Sequence, residues 1–449
     1  MNNKVKIRNI ISNIITIVIL IVAVIIYKNY DYNYFVKGVK ETGKTTFSRD
    51  SKIKCSKERS YKIENKEFND AMFYKEIEVT PNTPYKVSCK IKTENVQGKT
   101  GKTLAGAQIC LNNTEEHSAV LTGDKDWTQV EFLFNSKKEN KIEIGFRLGG
   151  NLTEASGTAW FSDIKIEKGV SDSSTTWNFG CFLLNNADVV INNEEIKVFL
   201  SEDEKATIRR DMARLEKSIK EMSNNQMNIT YEIIEIDKPL TTLSYDDVNG
   251  YYISEADAYK LLASEVLKKD FDHVFICTNL PLESELTRDD SISEWIGLGN
   301  MLFLGKGYSN IRITPLEYQY SSRNTFPEEV FLHEFLHTLE RNAEEYGNTV
   351  PALHDYEKYG YKDDIYDGQR KWYMDYMNRN IKSDGKYIGL PAEIYKLKPA
   401  KRSDFEYSYQ LDVLDEPHNI IEEVNSIIEK IKFIFKSREL VYNVEGATK

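Results

Sequence analysis

The chain has 449 residues, 41% of them hydrophobic and 29% charged, with a formal net charge of -11, enough for two or three globular cores. The acidic balance excludes the broad basic surface that nucleic acid requires, so no nucleic-acid partner is expected. Five scattered cysteines without a C-x-x-C pair exclude a thiolate zinc framework; Cys55, Cys89 and Cys110 are the pool for any disulfide, and buried free thiols fit the spacing equally well.

Lys4, Lys6 and Arg8 give residues 1–9 a basic character, and an apolar run follows over 10–27, broken only by Ser12, Asn13 and Thr16. Its length approaches a bilayer span, and the positive flank predicts a cytoplasmic basic tail with the bulk of the chain outside. A cleaved signal is the alternative, although no small-x-small site follows. With a Lys-, Asn-, Ile- and Tyr-rich composition fitting a low-GC bacterium, the expected location is the bacterial cell membrane, single-pass, or secretion after cleavage.

Residues 32–169 read as strands throughout. Alternating runs such as Tyr85 to Ile91 and Val130 to Phe134 are separated by turn signals at Pro81-Asn82-Thr83-Pro84, Gly123-Asp124 and Gly149-Gly150. Short strands at regular spacing predict a β-sandwich. The segments Asp126 to Phe134 and Gly157 to Glu167, with the Tyr85 strand, resemble the later strands of jelly-roll carbohydrate-binding modules. The resemblance implies a glycan as partner and allows a structural calcium, whose ligands the sequence does not identify; Trp127 and Trp160 are either sugar platforms or core residues, the core being the commoner place.

A polar linker is expected over 170–178, and a second domain over 179–449 with alternating helices and strands. Helices are predicted from Glu202 to Met222 and, capped by Ser254 with Asp257, through Leu267; strands are predicted at Ile229 to Ile236 and Phe271 to Cys277, where His273 reads as a core or strand-end residue. Tyr308 to Thr314 is the candidate edge strand, with Gly297 and Gly299 just before it marking tight turns or close backbone approach. No G-x-G-x-x-G or Walker pattern is present.

The motif H-E-x-x-H occurs at His333, Glu334 and His337. Thr325 with Glu328, and Pro327 in the first turn, signal a helix whose buried face is Leu332, Phe335, Leu336 and Leu339 and whose end falls near Gly347. Residues four apart on a helix share a face, so both imidazoles can reach one metal ion with Glu334 beside them. A catalytic zinc takes three protein ligands and keeps a water in the fourth position, for which Glu334 is the general base. His354 is the first choice for the third ligand. Arg370 to Met377 reads as an aromatic-rich helix, and Ile420 to Ile431 as an amphipathic one.

Here the chain resembles the zincin metallopeptidases. It departs from the metzincins, since Glu340 and Ala343 stand where their glycine and third histidine fall, and it lacks the gluzincin second helix. Asp355-Tyr356-Glu357-Lys358-Tyr359-Gly360 resembles the aspzincin loop with one extra residue, which makes Asp355 the rival ligand and Tyr359 or Tyr361 a candidate oxyanion donor. The resemblance implies peptide binding by strand addition at the edge strand. The expected architecture is therefore multidomain: an N-terminal transmembrane helix, an all-β jelly-roll sandwich and an α/β zincin-like domain. The expected function is an extracellular zinc endopeptidase directed to peptides or glycoproteins. The alternatives are an exported carbohydrate-binding adhesin with a structural or inactive zinc site, and a zinc amidase or deacetylase acting on glycans.

Overall fold

Period-two alternation in the first third of the chain produces strands with one face buried and the other wet. A computed structural model describes residues 35–101, 103–287, 294–313, 326–362, 369–406 and 409–411, with 15, 16, 18–20 and 22. Strands β1 (Val36–Val39), β4 (Ala71–Glu78), β8 (Lys141–Gly149) and β6 (Gly106–Leu111) form one sheet in the order β1-β4-β8-β6. The facing sheet has the order β2-β3-β9-β5-β7, from Thr45–Asp50, Ser60–Asn69, Ala155–Lys168, Pro84–Gly98 and Gly123–Asn135. Ile63, Phe73, Val87, Ile91, Ile109, Phe132, Phe146 and Phe161 fill the space between them, which makes the jelly-roll sandwich expected from the sequence. Trp160 belongs to the interior, its indole N–H donating to Asp50 at 3.1 Å, whereas Trp127 is half-buried. The five cysteines are free thiols.

The next strand, β10 (Thr176–Leu184), starts inside the stretch expected as linker. It does so because Trp177 is a core residue: it is fully buried, donates to the Tyr395 carbonyl at 2.9 Å and packs against Phe335. With β11 (Asn228–Ile236), β12 (His273–Thr278), β13 (Gly297–Phe303) and β14 (Lys306–Arg312) it builds a five-stranded sheet in the order β11-β10-β12-β14-β13. Its strands are parallel except β13, which runs antiparallel to β14. Alternate residues of β10 separate the two faces. Trp177, Phe179, Cys181 and Leu183 point to helices α1 (Glu202–Met222) and α3 (Glu329–Glu345), while Phe182 and Leu184 point to α2 (Glu255–Lys268).

Three expectations need correction. The edge strand is β13, not 308–314, because Leu304 and Gly305, both at positive φ, turn the chain back and leave β14 paired on both sides and buried. Helix α3 begins at Glu329, and its N-cap Glu328 makes no side-chain cap. The Glu328 carboxylate instead accepts from Ser218 of α1; Thr325 lies outside the described residues. Third, among the described residues no helix is long and apolar enough to cross a membrane, a span of about 20 apolar residues. This overturns the single-pass anchor over 10–27 and the membrane localisation that rested on it; of that run only residues 15, 16, 18–20 and 22 are described, as helix. The amphipathic stretch 420–431 also lies outside the described residues.

The sandwich and the α/β sheet belong to one compact unit, Lys37–Leu411. After a helix α4 (Arg370–Met377) the chain returns to the sandwich, where β15 (Tyr409–Leu411) pairs with the end of β9. Across the seam His117 meets Glu255 at 3.0 Å, and Lys137 of the sandwich bridges Glu116 at 2.6 Å and Glu345 of α3 at 2.7 Å. The hub of the α/β core is Phe335, whose ring lies 4.7 Å from Phe179, 5.3 Å from Trp177 and 5.4 Å from His273. Phe335→Ala should cost about 3–5 kcal/mol in urea denaturation; a loss below about 1 kcal/mol would contradict this packing.

Candidate metal centre

Helix α3 exists because its apolar stripe has a sheet to cover: Phe331, Leu332, Phe335, Leu336 and Leu339 are all fully buried. Its other face carries His333 and His337, and the loop after the helix brings back His354. Gly347, at φ +81°, starts that loop. The three imidazoles converge, each pair of rings having centroids 4.9 Å apart. One ligand nitrogen from each lies within 4.8 Å of the others.

Each helix-borne histidine is oriented from behind. His333 Nδ1 is 2.8 Å from the Tyr373 hydroxyl, which donates to Glu329 at 2.5 Å. His337 Nδ1 is 2.9 Å from Glu340 Oε2, while the other Glu340 oxygen accepts the Leu353 backbone N–H at 2.9 Å. One carboxylate thus fixes both the second histidine and the loop that carries the third. Such partners set the tautomer, leaving Nε2 free for a metal. His337 and His354 approach through Nε2 at 3.1 Å, close to the roughly 3.3 Å separating two nitrogens of a tetrahedral zinc with bonds of about 2.0–2.1 Å. The donor set therefore fits zinc, with three neutral nitrogens on one side.

Burial holds the His333 imidazole well below its ordinary range, helped by His337 and His354, and burial lowers His354 too. For His337 burial also acts downward, but the hydrogen bond to Glu340 and the charges of Glu334 and Glu340 outweigh it, and its value rises. Neutral imidazole is the form that ligates metal.

Glu334 is 5% exposed and lies beneath the edge strand. A Cβ at Gly297 would fall on its carboxylate, and one at Gly299 would come within 2.7 Å of Oε2. Burial pushes Glu334 up to about 8, against the pull of His337 and the Gly299 N–H. A cation beside it would favour the ionised form.

The structure thus brings together His333, Glu334, His337 and His354. It leaves Asp355 apart, bonded to Lys358 at 2.9 Å. Tyr359 stacks on Trp372, and the Tyr361 hydroxyl donates to Asp375 at 2.7 Å, so neither joins the cluster. His273 is a core residue, pushed down to about 3 by burial and held by Thr338 at 3.0 Å and Ser309 at 3.2 Å. Sequence reasoning missed Glu340 and Tyr373. Glu340 stands three residues after His337, on the same helix face, and could have been found from that spacing; Tyr373 is 40 residues from His333 and has no local signal.

No protein-family model matches the chain. The tRNA(Glu)-specific nuclease WapA of Bacillus subtilis subsp. natto (strain BEST195) is 32% identical over 108 residues, 22% of this chain and 4% of that protein, so the chain spans a small fraction of that relative's length. Among solved structures, TmCBM61 in complex with β-1,4-galactotriose is similar over 30% of this chain and 88% of its own, at 14% identity and a TM-score of 0.22. A CBM4 structure is similar over 31% and 83%, at 16% identity and a TM-score of 0.20. The Clostridium thermocellum xylanase 10B CBM22-1–GH10 modules with xylohexaose are similar over 78% and 65%, at 11% identity and a TM-score of 0.19. At such scores the strand order, not the likeness, defines the fold.

The chain should bind about one zinc. His333→Ala and His354→Ala should each abolish stoichiometric binding, and Tyr373→Phe should weaken it about 10–100-fold, as read by competition with a chromophoric chelator. Affinity should fall as pH drops through the range in which His337, whose value is raised, takes up a proton; His333 and His354, held low by burial, compete for protons only at more acid pH. Unchanged affinity in His354→Ala would remove the third ligand from the account.

Proposed function

We propose that the chain is a zinc-dependent peptidase whose sandwich binds carbohydrate, so that it acts on peptides or glycoproteins. The observation that carries the reading is the convergence of three imidazoles beside a buried glutamate under an edge strand. A zinc bound there would supply a Lewis acid that polarises the substrate carbonyl and acidifies a water.

The chain's own residues do the rest. His333, His337 and His354 occupy one side of the site, and among the described residues they are the cluster that could hold a metal; three protein ligands with an open fourth position are what a catalytic zinc requires. Glu334 Oε takes the proton of the attacking water and delivers it to the leaving amine. Tyr373, through Glu329, and Glu340 keep the imidazoles in register. The outer edge of β13, which among the described residues is paired with β14 alone, would offer backbone groups to an extended peptide lying across Glu334.

A second reading keeps the sandwich as the functional part: a carbohydrate-binding protein with a structural or inactive zinc. The names of the three structures above fit it, since each includes a carbohydrate-binding module and none is a peptidase. A zinc amidase or deacetylase acting on glycans would share the metal chemistry with a pocket in place of the edge-strand groove. Glu334 separates catalysis from binding, because a structural site needs no base.

Wild-type chain and Glu334→Ala should both hold zinc, and on a mixed set of peptides and glycoproteins the variant should lose at least about 100-fold in cleavage rate. If both hold zinc and neither cleaves, the carbohydrate-binding reading replaces the peptidase.

A further inference from the structure

Beyond the point where β13 crosses Glu334, the sandwich and the α/β part enclose a cleft of about 580 Å³, within the range of small-ligand sites. One wall is sandwich loop: residues 99–101, 103–104 and 151–154, tied together by the Thr103 hydroxyl on the Asn151 carbonyl at 2.5 Å. The opposite wall is Tyr252, Ser254 and Glu255, and the floor is Asn300, Met301 and Leu302 of the edge strand itself. The strand is bulged between Leu298 and Met301, with Asn300 at φ +59°. The bulge separates the stretch over Glu334 from the stretch that floors the cleft, and bulges re-aim a strand in this way.

Most of the charges in the cleft are already paired, and Glu115, which also lines it, lies 3.7 Å from Arg341. Glu154 is held by Lys40 at 2.6 Å and Lys99 at 3.1 Å, and Glu255 by His117 at 3.0 Å and by the Leu304 N–H at 2.8 Å. A charged ligand would have to displace these pairs. The lining also offers the Thr100 and Thr153 hydroxyls and the Asn151 and Asn300 amides, with Leu152, 93% exposed, at the rim; the Ser254 hydroxyl is engaged with Ser244 and Asp257. A neutral, hydroxyl-rich group with some apolar surface matches that lining.

We propose that this cleft is a composite subsite, built jointly by the sandwich loops and the edge strand, for a neutral oligosaccharide carried on the peptide substrate. It rests on the peptidase reading for its placement. At about 3.3 Å per residue, a peptide paired along β13 would present the side chain two or three positions from the bond over Glu334 to Met301 and Leu302. The sandwich then acts as part of the substrate groove, and sugar recognition and scission are set at a fixed spacing.

Gly101 lies at the mouth of the cleft with nothing closer to a built Cβ than the Thr153 hydroxyl at 3.8 Å, so Gly101→Trp fills the cleft without touching the metal centre. Two probes share one peptide sequence, one bare and one with a threonine bearing a neutral disaccharide. Binding is read by calorimetry on the zinc-loaded full chain carrying Glu334→Ala, with and without Gly101→Trp; thermal melting confirms that both are folded. The glycosylated probe should bind about 10-fold tighter than the bare one, and Gly101→Trp should bring the ratio to within about 2-fold while bare-peptide binding is unchanged; those ratios correspond to 1.4 and 0.4 kcal/mol at about 0.59 kcal/mol for RT. Equal binding of the two probes, or an advantage that survives Gly101→Trp, overturns the subsite. Wild-type chain that shows the binding advantage but cleaves neither probe overturns the peptidase reading instead and leaves the cleft as a glycopeptide site.

Discussion

The constraint on which the site depends is how closely a helix can approach a sheet. Helix α3 touches its neighbouring strands where those strands have no side chain: Gly297 and Gly299 of β13 over Glu334, and Gly307 of β14, where a Cβ would meet Thr338 at 2.5 Å and His273 Nδ1 at 2.6 Å. The helix therefore sits against backbone, and its orientation follows. Glu334 is pressed under the edge strand, Thr338 reaches His273 in the core, and His333 and His337 are turned toward the loop that returns His354. A side chain at any of the three glycines would lift its strand from the helix, and at Gly297 or Gly299 it would displace the Glu334 carboxylate.

This arrangement gives the two sides of α3 different jobs. The side against the sheet is bound by aromatic packing around Phe335 and by the glycine contacts, and it tolerates little movement in a densely packed interior. The other side is built from hydrogen bonds, Tyr373 with Glu329 behind His333 and Glu340 behind His337. These orient the imidazoles without crowding them. The far end of the helix is tied to the sandwich through Lys137 and Glu345. The sandwich is thus part of the frame that holds the centre.

How much of this was legible in the sequence depended on the range of the contacts. The strand alternation of the sandwich, helices α1 and α4, and the spacing of His333, Glu334 and His337 are local patterns and could be read directly. His354 could be named only as a candidate beside Asp355, because the choice is made by Glu340 bonding the Leu353 N–H across a loop. The edge strand was placed one strand too late: Gly297 and Gly299 read as marking turns or close backbone approach, so the strand that carries them was not recognised, and a two-residue turn with leucine at a positive-φ position gives no turn signal. Trp177 looked like linker because its burial depends on Tyr395 and Phe335, both far along the chain. The composite cleft had no signature at all, since its lining comes from six separate segments.

The central claim is that His333, His337 and His354 hold a zinc with its fourth position open beside Glu334. Anomalous diffraction at the zinc edge from crystals of the zinc-loaded chain tests it most directly. The account predicts one zinc, bonded to the three imidazoles at about 2.0–2.1 Å, with a water in the remaining position within hydrogen-bond reach of Glu334. A zinc whose fourth position is closed by Asp355 or another side chain, or no zinc at these histidines, would contradict it.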